Sequence, residues 1–315
     1  MEKIRLGISA CLLGEKVRYD GGHKLDRFLT ETLGEYVEYL PVCPEVECGL
    51  GVPRESMRLE GLPESPRLVT VGSGRSLTDR MLNWANKRVR ELEGRDLCGF
   101  IFKSGSPSSG MERVKVYGAN NGARRIGTGL FASVFMRHFP RLPVEDEDRL
   151  HDPTLRENFI ERIFVLKRWR EMLEQGEKLN QLVHFHARHK LIIMAHSTRH
   201  LRLMGKLAAE AKGRGLSSVF AEYGKLLMEA LKLKATVKKN TNVLQHMMGY
   251  FKKQLCGREK MELIDVIGRY YKGDLPLIVP ITLIGHYVRK FSQEYLKEQY
   301  YLNPHPLELR LRNHV

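Results

Sequence analysis

In the first half of the chain the apolar positions come in short runs, at residues 6–10, 37–42, 67–71 and 98–102. Runs of that length, alternating at 67–71, predict strands. Helical spacing lies between them. Residues 76–93 carry Ser76 and Asp79 in a capping-box-like arrangement, and Gly94 stands where a C-terminal cap belongs. A second helix is expected from about 128 to 138, stopping before Pro140. Strand–helix alternation predicts an α/β domain on a mostly parallel sheet with flanking helices.

Residues 140–152 then hold Pro140, Pro143 and the acidic run Glu145-Asp146-Glu147-Asp148, and predict a linker. Asp152 suits an N-cap and Pro153 a first helical position. Phe159, Ile163, Leu166, Trp169 and Leu173 follow at three- and four-residue steps, the apolar stripe of a helix ending near Gly176. Further helices are expected at about 179–195, 199–211, 217–233, 241–255, 258–271 and 281–302. No strand is expected in this half. The chain thus divides into an α/β domain at 1–143 and an all-α helical bundle at 152–315.

Charge separates the two halves further. The net charge is +15, and it is uneven: residues 1–150 carry 23 Lys/Arg against 21 Asp/Glu, a net +2, and the remainder 29 against 16, a net +13. That excess predicts a polyanionic partner, nucleic acid ahead of an anionic membrane surface. Candidate phosphate contacts are Arg188, Lys190, Lys238, Lys239, Lys252 and Lys253. Tyr250, Tyr270, Tyr271, Tyr300 and Tyr301 offer rings that either stack bases or pack the bundle. The longest apolar run, 275–284, is broken by Pro276 and Pro280 and is too short to span a bilayer. The first eight residues, from Met1, lack the apolar core of a signal peptide. A cytoplasmic protein without membrane association is expected.

The five cysteines are Cys11, Cys43, Cys48, Cys98 and Cys256, an odd number that argues against a disulfide framework. Cys11, Cys43 and Cys48 stand on loops that follow predicted strands, as does the segment 103–110. In open α/β sheets the carboxyl ends of strands share the edge where ligands bind. These loops are therefore expected to converge, with Glu45 between two of three thiols. Thiolates suit an iron–sulfur cluster or zinc, and the spacing fits no standard zinc ribbon or finger. Cys98 and Cys256 read as structural.

Several ordered motifs carry a resemblance. Ser9-Ala10-Cys11-Leu12-Leu13-Gly14, the stretch 17–23, Val42-Cys43-Pro44-Glu45, Pro53-Arg54 and Ser106-Pro107-Ser108 resemble the TudS-type thiouracil desulfidases. Phe185-His186-Ala187-Arg188-His189-Lys190 and the stretches 246–252 and 301–306 are similar to YbgA-like helical domains. The fused arrangement resembles the RudS-type tRNA 4-thiouridine desulfidases. The resemblance implies a [4Fe–4S] cluster held by three cysteines, with an open iron for the thiocarbonyl sulfur and no net redox change. It implies that Glu45 is the general acid/base acting on water and that Ser106 orients substrate or water. It implies a tRNA substrate. The alternatives are a desulfidase of free thiouracil-type bases and an RNA-binding protein with a structural metal site. One position departs from the pattern: the family's Ser-Pro-Ser-Cys motif ends in a cluster ligand, and here the residue is Ser109. Cys48 is then the expected third thiolate. The other option is that Ser109 weakens or abolishes the cluster.

Two weaker signals complete the reading. Gly127-Thr128-Gly129-Leu130-Phe131-Ala132 has the outline of a dinucleotide fingerprint but no apolar strand ahead of it, so a helix start able to take a phosphate is expected. His184, His186, His189, His196 and His200 are expected to touch RNA or pack helices rather than hold zinc, since no Cys or acidic partner accompanies them.

Overall fold

A computed structural model of the chain describes residues 3–118 and 122–314; Met1 and Glu2, at the head of the N-terminal stretch, lie outside them, as do residues 119–121 and 315. The chain forms two compact units, Met1–Asp152 and Pro153–Val315.

The first unit contains β1 (Ile4–Ser9), β2 (Val37–Val42), α1 (Pro44–Glu47), β3 (Met57–Glu60), β4 (Arg67–Thr70), α2 (Thr78–Glu93), β5 (Gly99–Phe102), β6 (Val114–Tyr117), β7 (Ala123–Gly127), α3 (Leu130–His138) and β8 (Val144–Asp146). An all-parallel sheet has the order β2-β1-β5-β8. Its central strands β1 and β5 are compact apolar runs, because strands covered on both faces bury nearly every side chain. All four residues of β5 are buried. At β1, a Cβ on Gly7 would come within 2.2 Å of the Phe100 ring, so only glycine lets that ring cross the neighbouring strand. Phe100, Phe102, Phe131 and Phe135 form the aromatic centre of this core, with ring separations from 4.4 Å.

A second sheet, β4-β3-β6-β7, corrects the expectation of one sheet. Its inner pair β3 and β6 is parallel and its outer pairs are antiparallel. Only Leu59 of β3 and Val114 and Val116 of β6 are buried, and β7 is largely exposed, so these strands leave no long apolar run. The segment read as a linker is also corrected. Residues 144–146 are β8, and the unit boundary falls after Asp152. Glu145, Asp146 and Glu147 of the acidic run are buried there because each is matched, while Asp148 is exposed. Glu145 pairs with Arg149, Glu147 with Lys103, and Asp146 accepts the Met111 amide at 3.2 Å. The capping box expected at Ser76 is absent. Leu77 is the N-cap without a side-chain bond, and the Thr78 hydroxyl instead accepts the Leu68 amide at 2.9 Å, tying α2 to β4.

The second unit is helical throughout its described residues: α4 (Pro153–Glu174), α5 (Leu179–His196), α6 (Thr198–Ala209), α7 (Leu216–Lys232), α8 (Val237–Met248), α9 (Gly257–Lys272), α10 (Ile278–Lys290) and the short α11 (Glu294–Lys297). The helix expected over 281–302 is therefore two. It breaks where Ser292 takes a left-handed φ of 49° and the Phe291 ring stacks on Tyr287. Trp169 stacks on Tyr223 at 5.2 Å in the core. A buried polar network ties the chain end to two helices. Glu161 meets His196 at 2.5 Å and Arg312 at 3.3 Å, and Arg312 meets Glu157 at 2.9 Å. No helix among the described residues is long and apolar enough to cross a membrane.

Candidate active site

β1, β2 and β5 are parallel neighbours, so their carboxyl ends lie on one edge. The three loops that leave this edge converge, as the sequence implied. They line a cavity of about 430 Å³ that holds Cys11, Cys43, Glu45, Arg54, Lys103 and Ser109. Cys11 lies in a tight turn after β1, where its carbonyl accepts the Gly14 and Lys24 amides. Cys43 precedes α1, and its amide donates to Glu47 at 3.0 Å. Glu45 is in the first turn of that helix.

Cys48 does not line this cavity. It is 9% exposed and packs with Leu50, Leu59, Leu68 and Met81 under the second sheet. The one turn of α1 explains the split. Cys43 precedes the turn and Cys48 follows it, so the two thiols leave on opposite sides, and Cys48 contacts the Glu45 carbonyl at 3.3 Å. Cys48, expected as the third thiolate, packs in this core and does not line the cavity. Ser109 does line the cavity.

The loop 106–110 is held by hydrogen bonds of fixed direction. The Ser106 hydroxyl accepts the amides of Ser108 at 3.3 Å and Ser109 at 3.1 Å. The Ser108 hydroxyl donates to Glu45 Oε1 at 2.6 Å. With that proton committed, the 3.0 Å contact between the two hydroxyls has Ser106 as donor. Ser106, expected to meet substrate or water, lines the cavity and also orders the loop. Ser108, fully buried, is the hydroxyl that meets the carboxylate. Sequence reasoning passed over it as the middle of a motif. Glu45 Oε2 lies 3.5 Å from Cys43 Sγ and 3.9 Å from the Arg54 guanidinium. The Arg54 side chain is 10% exposed and its buried Nε has no partner among the described residues.

The segment 127–132 has a structural task. The strand that leads into it, β7, is largely exposed and carries Arg124 and Arg125, so no apolar strand precedes the segment. The N-terminal amides of α3 and its approach are already taken: Gly129 donates to Gly110, Leu130 to Pro107 and Ala132 to Ser108. A Cβ on Gly129 would sit 2.5 Å from the Ser108 backbone. The helix start thus cradles the serine loop, with three of its amides taken by that loop.

Burial and the neighbouring Glu45 push the Cys11 thiol up to about 11 and the Cys43 thiol up to about 12. Both are neutral near pH 7 until a soft metal displaces the protons. Two soft donors from separate loops, facing one cavity beside a carboxylate, fit an iron–sulfur cluster at two corners. The residue that the motif offers for a third corner, Ser109, brings an oxygen in place of a thiolate.

The RNA candidates are scattered. Lys238 and Lys239 line a larger cleft, Lys252 and Lys253 are exposed elsewhere, and Arg188 lies 4.5 Å over the Tyr300 ring. Of the histidines, His189 and His196 are buried, His186 bonds the Tyr223 hydroxyl, and His200 bonds Ser197. No metal-binding cluster of His, Cys, Asp and Glu occurs among the described residues.

Residues 6–147 match the family described as 2-thiouracil desulfurase, and residues 190–306 match a protein family of unknown function, DUF1722. The uncharacterized protein YbgA of Escherichia coli (strain K12) is 30% identical over 153 residues, 48% of this chain and 90% of that protein. Among solved structures, the [4Fe-4S]-dependent thiouracil desulfidase TudS is similar at 33% identity, over 48% of this chain and 95% of that one, with a TM-score of 0.40. The chain accordingly belongs to the family of YbgA and carries, ahead of the DUF1722 region, a domain of the 2-thiouracil desulfurase type.

Proposed function

We propose that this protein is a desulfidase that converts 4-thiouridine in tRNA to uridine on a [4Fe–4S] cluster, without net redox change. Cys11, Cys43 and the Ser109 oxygen hold the cluster on this reading. When bound, the cluster supplies a Lewis-acidic iron for the thiocarbonyl sulfur. The rest of the chemistry belongs to the chain's own residues. In net terms a thiocarbonyl and water become a carbonyl and hydrogen sulfide. Glu45 takes the two protons of the attacking water one after the other at Oε2, the oxygen facing Cys43, and passes each to the leaving sulfur, so that the oxygen stays on carbon as a carbonyl. Ser108 holds Oε1, which leaves Oε2 for that work. Arg54, 3.9 Å from the same carboxylate, helps to fix its position.

The observation that carries the reading is the carboxylate fixed between a cavity thiol and a buried hydroxyl, in a domain of desulfurase type. The tRNA part rests on charge, since a net +13 in residues 151–315 suits a polyanionic substrate. A cavity of about 430 Å³ holds one base, so the thiouridine must leave its stack to reach it. The test compares kcat/KM of the reconstituted protein for 4-thiouridine-containing tRNA and for free thiouracil. A higher value for tRNA, shrinking as salt rises, supports the reading. Equal, salt-independent values would make the free base the substrate.

A further inference from the structure

The helical unit contains a second cavity that the desulfuration chemistry does not use. It is about 860 Å³, lies between α5, α8 and α9, and opens at the start of α6. Its wall carries Arg199, Lys238 and Lys239, and no Asp or Glu lines it. These cations stand in the first turns of α6 and α8, and neither turn contains an acidic residue. Positive side chains at the positive end of a helix are electrostatically unfavourable unless an external anion offsets them. Lys239 is spent on structure, donating to the carbonyls of His196 and Lys234 at 2.7 Å each. Arg199 and Lys238 are exposed and have no ion pair among the described residues.

The lining contributed by α9 is of another kind. Tyr271 is 56% exposed, and its ring has no aromatic or cationic partner among the described residues. Ile264 lies further back on α9 and is also exposed. Asn242 and Gln245, on α8, present amide groups with both donors and acceptors. A free aromatic face, paired amides and two unpaired cations around one cleft match a base, its edge and its phosphate.

We propose that this cleft binds one nucleotide of an RNA strand, with its base against Tyr271 and Ile264 and its phosphate on Arg199 and Lys238. The inference rests on the reading that the helical unit holds RNA, and adds where it does so. Aromatic stacking discriminates it from an acidic polypeptide, which would use the cations and leave the ring idle.

The experiment measures the Kd of the full chain for unmodified tRNA across roughly 50 to 200 mM salt. Tyr271→Ala is expected to weaken binding about tenfold or more, whereas Tyr271→Phe stays close to the parent because the stacking face remains. The double variant Arg199→Ala/Lys238→Ala is expected to lower the slope of log K against log salt by about one to two. Folding of each variant is checked by its circular dichroism and thermal midpoint. If the parent binds tRNA and all three variants match it in Kd and slope, the cleft is not the site, while the RNA reading stands. If the parent does not bind tRNA, both fall, and the cleft passes to an acidic protein partner.

Discussion

At the scale of single residues, Glu45 works because each of its oxygens has a different neighbour. Ser108 holds Oε1 at 2.6 Å, and removing that hydroxyl leaves a carboxylate oxygen unmatched in a largely enclosed site. Ser108→Ala is expected to lower kcat roughly ten- to a hundred-fold, on the scale of one hydrogen bond to a charged group, with bound iron unchanged. Iron loss in step with activity would instead mean that Ser108 supports the metal corner. The corner itself is tested by metal content. Ser109→Cys is expected to raise iron and sulfide per chain after anaerobic reconstitution and to slow their loss to a chelator, because a thiolate replaces a hydroxyl. Cys48→Ala is expected to keep its iron, since that thiol packs against leucines. A folded Cys48→Ala chain without iron would contradict the assignment. The motif residues themselves told which side chains gather, but not which way each points. Cys43 and Cys48 are five apart, and a single turn of helix sends one to the cavity and the other to the core.

At the scale of elements, the carboxyl edge of the parallel sheet was legible because its central strands β1 and β5 are short, almost wholly buried runs. The second sheet was not, because β7 buries almost nothing and β3 and β6 bury one and two residues. The acidic run read as a linker for the same reason: its partners Lys103, Met111 and Arg149 lie on other segments or a turn later. Gly129 links an element to the chemistry. Gly129→Ala brings a Cβ against the Ser108 backbone and is expected to displace the serine loop. Activity should fall by more than the change in thermal midpoint explains, a comparison that kinetics and calorimetry on one preparation settle.

The helical unit has an electrostatic signature of its own. Burial, with Arg312 adding to it, drives the His305 imidazole down to about 4. Below about pH 6.5 the unfolded chain takes up this proton and the folded chain does not. Stability therefore falls as pH drops from about 6.5 to about 4, by at most about 3 kcal/mol from this group. Glu161 continues the trend. Burial raises its pKa, but the His196 hydrogen bond and the Arg312 charge outweigh burial and hold it at about 2. Its contribution is present above about 4.3 and is lost as pH falls toward 2. Urea midpoints measured between pH 7 and pH 4 should thus decline, and His305→Gln should flatten that decline. An unchanged slope in the variant would assign the acid sensitivity elsewhere.

At the scale of the whole molecule, the chain joins a nearly neutral unit that carries the thiols to a strongly basic one. The charge asymmetry was plain in the sequence because it needs only counting. The cleft at Tyr271 was not, since the cations and the ring come from different helices and no spacing rule connects them. The division of labour makes the two units separable in experiment. Salt should suppress the reaction on tRNA and leave that on a free thiolated base nearly unchanged, because phosphate contacts carry the salt dependence.

Whether the Cys11–Cys43–Glu45 cavity removes sulfur from a thiocarbonyl is read out by a single-turnover assay. The anaerobically reconstituted chain and its Glu45→Gln variant are followed by the near-ultraviolet absorbance of 4-thiouridine in tRNA, alongside iron content. The band should be lost with the parent chain, at a rate that falls roughly a hundred-fold or more in Glu45→Gln at equal iron. Equal rates in both proteins, or an intact band with a full complement of iron in the parent, would overturn the desulfidase reading.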